Sequence, residues 1–398
     1  MTVKRTIILV GMMGIFMFTG CGGTAMDPLP TNPPQYEYTQ PPSEPANFQS
    51  EPVTVAENGR LADMGMGIVD IHFSSIPGEG GARYWFHSEH FGTVYRKFRG
   101  TVDDPCQTLI WEKTASELFP ETYRTNSDSG VNTLMQSRNG EHMITQVGGV
   151  WIAGLYQEPG NPENLLAFLH IEEGGADSMK GRVALAWSED SGDTFKYLGD
   201  IAAPSGDPSG SEAEPRTYNI IGVPYIIRDG YFYIYYQEPG GIGAASAKVS
   251  DVIEKAKEVG GDCSIMPEWR KWNGEASGAE TWVEPGMGGK SAPVELPWGI
   301  CHVSACYSSL TGKYYMPLTS QNWAGGDTWV RLFESADGLH WSETACIVRN
   351  RAETIPIIGW GAAGNTHLQS ERTGTHMTSE ANSTFFAPTD HMTSGNVR

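Results

Sequence analysis

The sequence predicts an all-β fold, and three observations lead to this prediction. Its apolar segments are short and rich in β-branched and aromatic residues, as strands are. Turn residues separate them, and the chain carries 48 Gly and 25 Pro. A helical pattern is confined to residues 249–259, where Ser250 can cap the start and Gly260-Gly261 the end. Many short strands without intervening helices are typical of a sandwich, a barrel or a propeller.

The predicted strands follow one another along most of the chain. They occupy residues 67–73, 83–87, 150–156, 165–171, 182–188, 220–227, 231–236, 302–307, 314–318 and 329–333. Apart from the N-terminus, no segment approaches the roughly 20 apolar residues that a membrane-spanning helix needs.

The N-terminus has the pattern of an export signal. Lys4 and Arg5 precede a short apolar stretch, residues 6–19, and small residues follow it. This order is typical of a secretory signal peptide, since a membrane span would be longer. Cys21 directly after residues 18–20 resembles the bacterial lipoprotein signal, which implies that Cys21 is lipidated and becomes the mature N-terminus. The alternative is an ordinary signal peptide with an incidental cysteine.

Three regions are predicted from this start. Residues 1–20 are the signal peptide, and residues 21–60 hold the anchor cysteine and a proline-rich linker. Residues 61–398 form one β domain with a polar C-terminal tail. The linker is expected to be an extended spacer, because proline-rich chains adopt extended conformations. We expect an exported, monomeric protein, anchored by its lipid to a bacterial outer membrane or cell surface.

Charge and cysteine content exclude some functions. Lys and Arg number 27 against 47 Asp and Glu, a net charge of −20, which argues against a nucleic-acid partner and makes neutral sugars easier ligands than anionic ones. No cysteine and histidine spacing suggests a zinc site. Disulfide pairing cannot be read from the five cysteines after Cys21, which are Cys106, Cys263, Cys301, Cys306 and Cys346.

Two turns narrow the choice of fold. Residues 188–195 read S-x-D-x-G-x-T-F, and residues 335–341 form a shorter relative, S-x-D-G-x-x-W. In such a hairpin the Ser and Asp side chains hydrogen-bond the turn's own backbone, and Gly takes a positive φ. The first turn resembles the Asp-box of sialidases and related β-propellers, and the second a turn of propeller-type glycosidases. The resemblance implies that Asp190 and Asp337 are structural rather than catalytic.

A wider resemblance extends over about residues 65–345. The hairpin 219–236 and the P-G-x-G-G-x-S segment at 285–291 resemble five-bladed glycosidases, such as those of family 43, and sialidase-like propellers. The fold implied is a five-bladed β-propeller. Strand spacing then predicts blades at 67–113, 150–201, 220–283 and 302–348. The tail from residue 350 supplies a fifth blade that is short, irregular, truncated or completed by an N-terminal strand.

Polar residues collect at one end of the predicted blades. In a propeller, the start of each inner strand and the end of the second strand ring the mouth of the central channel, where a ligand would bind. Inner strands supply Asp70, His72, Asn219 and His302. Second strands end in residues 87–90, 170–173, 237–238 and 321–322, which include acids, imidazoles and amides.

These residues suit hydrolysis of a glycosidic bond, which needs one carboxyl group as acid and another as base or nucleophile. Asp70 is the predicted base, and Glu172 the acid, because its apolar flanks favour the protonated form. Glu238 or Glu89 would be a third carboxylate, and Trp85 and Trp323 would stack on sugar rings. The residues predicted to bind the substrate are His72, His87, His170, Asn219, His302 and Gln321.

The sequence therefore predicts a glycoside hydrolase that acts on an extracellular polysaccharide or oligosaccharide without a redox cofactor. The family resemblance allows a calcium ion in the channel, but no motif indicates a metal site. Two alternatives stay open, a non-catalytic glycan-binding lipoprotein and a polysaccharide lyase, in which a His or Tyr would abstract the proton.

Overall fold

The structure, a computed structural model, describes residues 55–57, 72–89, 92–101, 106–138, 141–174, 180–205, 225–238, 241–258, 268–274, 281–294, 296, 305–308, 311–320, 328–350, 367–369, 376–377, 383–387 and 393–397. The chain divides into two compact units, Met1–Pro34 and Gln35–Arg398. All of the described residues lie in the second unit.

Within these residues the strands form five sheets. The N-terminal strand β1 (Val55–Glu57) belongs to sheet 5. Sheet 1 consists of β2 (His72–Pro77), β3 (Arg83–Ser88), β4 (Val94–Gly100) and β5 (Thr108–Thr114). Sheet 2 consists of β6 (Tyr123–Thr125), β7 (Asn132–Arg138), β8 (Glu141–Gln157), β9 (Leu165–Glu173), β10 (Lys180–Ser188) and β11 (Lys196–Ala202).

Sheets 3 and 4 continue the same pattern of consecutive antiparallel strands. Sheet 3 consists of β12 (Tyr225–Arg228), β13 (Tyr231–Glu238), β14 (Gly241–Lys248), β15 (Arg270–Trp272) and β16 (Trp282–Pro285). Sheet 4 consists of β17 (Cys306–Ser308), β18 (Lys313–Ser320), β19 (Thr328–Ser335) and β20 (Ser342–Asn350), with β22 (His376–Met377) added in parallel beside β17.

Sheet 5 joins the two ends of the β domain. Its C-terminal strands are β21 (His367–Gln369), β23 (Ser383–Ala387) and β24 (Thr393–Val397). Strand β1 pairs antiparallel with β24, so an N-terminal strand does join strands of the C-terminal tail. Strand β1 lies within residues 21–60, which the sequence assigns to the anchor and linker.

Three hydrophobic clusters fill the spaces between successive sheets, and we name them the 1–2, 2–3 and 3–4 clusters. Strand β9 serves two of them. Its residues 165, 167, 169 and 171 join the 1–2 cluster, and residues 166 and 168 join the 2–3 cluster. Strand β13 likewise divides its even and odd positions between the 2–3 and 3–4 clusters. Because side chains alternate across a strand, both faces of sheets 2 and 3 are buried.

Sheets stacked face to face in chain order are the architecture of a β-propeller. Sheets 1 to 4 have the form of blades, whereas the sequence predicts five blades. Each fully buried Leu or Phe between them contributes about 1.5–3 kcal/mol to stability. The burial of these side chains explains why the central strands could be predicted from their apolar residues.

The helices agree in part with the prediction. Helix α1 (Ala115–Leu118) was not predicted; its start is a capping box in which Thr114 and Glu117 bond reciprocally. Helix α2 (Val249–Glu258) confirms the predicted helix, but it begins one residue before the expected cap, Ser250. Its buried residues Val252, Ile253 and Ala256 pack into the 2–3 cluster.

Two strand predictions need correction. No strand was predicted in residues 123–147, yet β6, β7 and the first part of β8 lie there, on mostly polar sequence whose alternation is weak. Residues 268–283, which the blade spacing predicts as the last strand of the third blade, instead lead through two separate short strands, β15 and β16. The apolar pattern misses them because β6 and β16 are edge strands and because buried positions of the inner strands are polar, such as Gln136 in β7 and Lys271 in β15.

The turn at 188–195 has the predicted internal hydrogen bonds. The Ser188 hydroxyl donates to Asp190 Oδ1 at 2.7 Å and accepts from the Gly192 amide at 2.8 Å. Asp190 also accepts from the Thr194 amide and hydroxyl. Burial by itself would raise the pKa of Asp190, but the bonds from Thr194 and Ser188 outweigh it and lower the pKa. Gly192 has a φ of 85°.

The turn at 335–341 repeats this arrangement. Asp337 Oδ1 accepts from the amides of Leu339 and His340, both at 2.8 Å, and from the Ser335 hydroxyl at 3.0 Å. Burial opposes ionisation here too, yet the bonds from His340, Leu339 and Ser335 hold the pKa of Asp337 well below its usual value. Gly338 has a φ of 77°. Both carboxylates are engaged within their turns, as expected of structural residues.

Candidate functional site

The candidate site lies at one edge of sheets 1 and 2, where the start of one strand pairs with the end of the next. In sheet 1 the start of β2 pairs with the end of β3, His72 with Ser88. In sheet 2 the part of β8 that pairs with β9 begins at Val147, opposite Glu173 at the end of β9. The predicted convergence of strand starts and strand ends is therefore present in both sheets.

Glu172 lies at this edge next to Glu173, and its side chain is the more exposed of the two. Its side chain is 21% exposed, and Oε1 lies 3.6 Å from Nε2 of His170. His170 is two residues earlier on the same face of β9 and is buried. A partly exposed carboxylate that rests on a buried imidazole can exchange a proton with a ligand while its own orientation is restricted.

Trp151 supports this pair from the neighbouring strand. It is the cross-strand partner of His170, and the two rings lie 5.2 Å apart at 34°. Its indole N–H donates to the carbonyl oxygen of Glu89, in the loop that follows β3, at 3.0 Å. Trp151 thus connects sheet 2 to sheet 1 beneath Glu172. Its sequence pattern does not mark it as a site residue, although it lies in a predicted strand beside the predicted mouth.

The loop after β3 is fixed by its own hydrogen bonds. Glu89 Oε1 accepts from the amide and the hydroxyl of Thr93, at 3.1 and 2.9 Å. The Tyr95 hydroxyl donates to the carbonyl oxygens of Gly92, at 3.0 Å, and Val150. Burial raises the pKa of Tyr95, so its hydroxyl stays a neutral donor. The Glu89 carboxylate therefore forms hydrogen bonds within its own loop. The sequence predicts Glu89 as an alternative third carboxylate of the site.

Two residues of β3 are buried more deeply than the sequence suggested. Burial, with a smaller contribution from Arg96, lowers the pKa of His87 to about 3, so its imidazole is neutral at physiological pH. Trp85 is 0% exposed, with the Arg83 guanidinium 5.8 Å from its ring centre. The expectation that Trp85 stacks on a sugar is wrong, because no face of the ring reaches the surface. Ligand contact stays a prediction for His87 and His170.

The other predicted site residues are placed only by backbone or not at all. Glu238 is the last residue of β13, and His72 the first residue of β2. The remaining ones lie outside the described residues: Asp70, Asn219, His302, Gln321, Cys21 and Trp323.

Metal ligands and membrane helices were sought in the described part of the chain. It holds no group of three or more His, Cys, Asp and Glu side chains arranged to hold a metal ion. None of its helices has the length and apolar character needed to cross a membrane. Cys306 is a buried thiol, and burial raises its pKa.

No protein family matches the chain, and no curated protein matches it. Among solved structures, the chain is similar to the catalytic domain of a GH62 α-L-arabinofuranosidase from Coprinopsis cinerea, with 11% identity, a TM-score of 0.43, and coverage of 83% of this chain and 91% of that one. It is also similar to an α-L-arabinofuranosidase from Lactobacillus brevis, with 11% identity, a TM-score of 0.42, and coverage of 83% and 91%.

An arabinanase from Bacillus subtilis is similar at 12% identity and a TM-score of 0.39, with coverage of 82% of this chain and 92% of that one. At these identities and TM-scores, none of the likenesses assigns an activity to this chain.

Proposed function

We propose that the protein is a glycoside hydrolase whose carboxyl groups act at the mouth of the propeller. The observation that carries the proposal is the setting of Glu172, a partly exposed carboxylate held 3.6 Å from a buried imidazole at the edge where strands of two sheets converge. A general acid must reach the ligand and still be fixed in direction. The partial exposure of Glu172 and its position beside His170 support this role.

In the proposed reaction Glu172 donates its proton to the glycosidic oxygen as the bond to the anomeric carbon breaks. Asp70 acts on the opposite side of the sugar as the base, taking a proton from the water molecule whose oxygen bonds to the anomeric carbon, and Glu238 is the third carboxylate that tunes the pair. His72, His87, Asn219, His302 and Gln321 complete the proposed sugar-binding set. His170 and Trp151 hold Glu172 in place from below.

The molecular setting is part of the proposal. We propose five blades, with sheet 5 as the last; the pairing of β1 with β24 supports this, because joining the chain ends closes a ring of blades. The turns at 188–195 and 335–341 would be Asp-boxes, as their internal hydrogen bonds support. The protein would be a monomer, exported and tethered by lipid on Cys21 to a bacterial outer membrane or cell surface.

The test is a panel of neutral polysaccharides, arabinan, galactan, xylan and β-glucan, scored for released sugars. We expect Glu172→Gln to lower kcat/KM by about 100-fold or more, because general acid catalysis contributes that much. Glu163→Gln is the matched control. It removes an exposed carboxyl from the loop between β8 and β9, at the opposite end of the same sheet, and should leave activity unchanged.

Three results would overturn the proposal. Full activity of the Glu172→Gln protein would exclude Glu172 as the acid. Binding of a glycan without release of any sugar would make the protein a glycan-binding lipoprotein. Unsaturated products that absorb in the ultraviolet would make it a lyase.

A further inference from the structure

A groove lies on sheet 3, away from the candidate site. Helix α2 forms one wall, and strands β13 to β16 form the floor and the other wall, enclosing about 910 Å³. Tyr231, Tyr233 and Trp282 supply its aromatic surface. We call it the sheet 3 groove.

The groove is remote from the mouth. Tyr231 is the first residue of β13, and Glu238, which the sequence predicts at the mouth, is the last. Seven steps of about 3.3 Å along a strand separate the two by about 23 Å. A ligand held at Tyr231 therefore does not touch the candidate catalytic groups.

The aromatic side chains offer a platform rather than a sealed core. Tyr231 is 43% exposed, which is unusual for a large side chain on a strand whose other positions are mostly buried. Tyr233 and Trp282 pack on each other, with ring centres 4.9 Å apart at 52°, and both lean on the 3–4 cluster. Rings that are braced from behind and open in front present flat apolar faces, the shape that the C–H faces of sugar rings cover.

The charged side chains around these rings nearly balance. Three cationic residues and four anionic ones line the groove. Lys248 lies 3.6 Å from Asp251, and Arg270 pairs with Glu268. A wall of paired charges attracts neither polyanions nor polycations strongly, but it offers hydrogen-bond donors and acceptors side by side. Hydroxyl groups, which both donate and accept, match such a wall.

We propose that the sheet 3 groove binds an uncharged oligosaccharide chain, as a site separate from the mouth. The volume of about 910 Å³ accommodates several sugar units, since drug-sized ligands fill pockets of about 300–1,000 Å³. The proposal holds whether or not the mouth is catalytic, because it depends only on residues of sheet 3 and α2. Bound there, a polysaccharide would be held on the protein while another part of it reaches the mouth.

The test is native electrophoresis in gels that contain arabinan, galactan, xylan or β-glucan, using Glu172→Gln protein so that no polymer is consumed. We expect at least one polysaccharide to retard the parent protein. Adding Tyr231→Ala should weaken that binding about tenfold, the effect of losing one stacking interaction. Tyr315→Ala, which truncates a partly exposed tyrosine on β18 of sheet 4, is the matched control and should bind like the parent.

A second variant, Trp282→Phe, keeps an aromatic ring and reduces its area, so it should weaken binding less than Tyr231→Ala; melting temperatures report whether each variant is folded. The proposal is overturned if none of the four polymers retards the parent, or if Tyr231→Ala binds as the parent does. It is also overturned if only an anionic uronate polymer binds and added salt abolishes the binding. Weakened polymer binding in Tyr231→Ala, made in protein that keeps Glu172 and its hydrolysis, separates this site from the proposed function.

Discussion

The turns at 188–195 and 335–341 have nearly the same internal design, but they dock differently. Each rests on the sheet that precedes its own, the first on sheet 1 and the second on sheet 3. Gly192 of the first turn faces the ring of Phe86, and Gly338 of the second faces Ile226 and the Tyr235 hydroxyl. Both turns therefore join successive sheets as well as adjacent strands.

Charge holds the first turn. The Lys97 ammonium, 5% exposed, donates to Asp193 Oδ1 and to the Ser191 carbonyl, both at 2.9 Å. The Trp111 indole also donates to Asp193 Oδ1, and Lys113 donates to the Asp193 carbonyl. Asp193 occupies a position at which the turn pattern allows any residue, so its side chain can contact sheet 1 without disturbing the hairpin.

Backbone carbonyls hold the second turn. The Tyr235 hydroxyl donates to the Gly338 carbonyl at 2.7 Å, and the Arg228 guanidinium to the Asp337 carbonyl at 2.6 Å. No side chain of the turn accepts from sheet 3 among the described contacts. The turn pattern therefore fixes the hairpin, while residues outside the pattern decide how the hairpin is attached.

The largest expected effect comes from adding a side chain where each turn contacts the preceding sheet. We expect Gly192→Ala and Gly338→Ala each to lower the free energy of unfolding by about 2–4 kcal/mol, from a positive φ plus an overpacked contact. The added Cβ would lie 2.7 Å from Phe86 and 2.7 Å from Ile226. Gly230→Ala is the control: its φ is 80°, but its Cβ meets nothing within 4 Å, so about 1 kcal/mol is expected. Chemical denaturation measures all three. Equal losses at the three positions would refute tight docking.

The next effect separates the ion-paired attachment of the first turn from the attachment of the second turn through backbone carbonyls. A double-mutant cycle of Lys97→Met and Asp193→Asn should show a coupling energy of about 1–2 kcal/mol that falls as salt is added. Tyr235→Phe should cost about 1 kcal/mol at any salt concentration, because a neutral hydrogen bond is lost. Thermal unfolding at low and high salt gives both values. A salt-independent Lys97–Asp193 coupling would show that charge does not hold the first turn.

The smallest effect concerns acid. Asp190 and Asp337 both have folded pKa values below the usual value, so each contributes stability above about pH 4 that is lost as the pH falls through its folded pKa. The shift is larger for Asp337. We therefore expect Asp337→Asn to flatten the fall in stability below pH 4 more than Asp190→Asn does, as melting temperatures from pH 7 to pH 2.5 would show. The opposite order would mean that the second turn is not the stronger carboxylate site.

For the candidate site, the sequence predicted where a strand ends but not which side chains are buried. The sequence located Glu172, His170 and the end of β9, because five consecutive apolar residues, 165–169, followed by polar ones show where the strand leaves the core. It could not separate exposed from buried aromatic residues. Trp85 and Trp151 look alike in sequence and both are buried, and only the packing of sheets shows that Trp151 supports His170.

The sequence by itself determined the elements that depend on neighbours in the chain. These are the all-β character, the helix near residue 250 and the two turns, whose Ser, Asp and Gly act within a few residues of one another. Only the tertiary structure decided which sheets stack, that β1 pairs with β24, that Asp193 meets Lys97, and that a groove opens beside Tyr231. The physical reason is that these contacts join residues far apart in the chain, and local propensity carries no information about which distant surfaces meet.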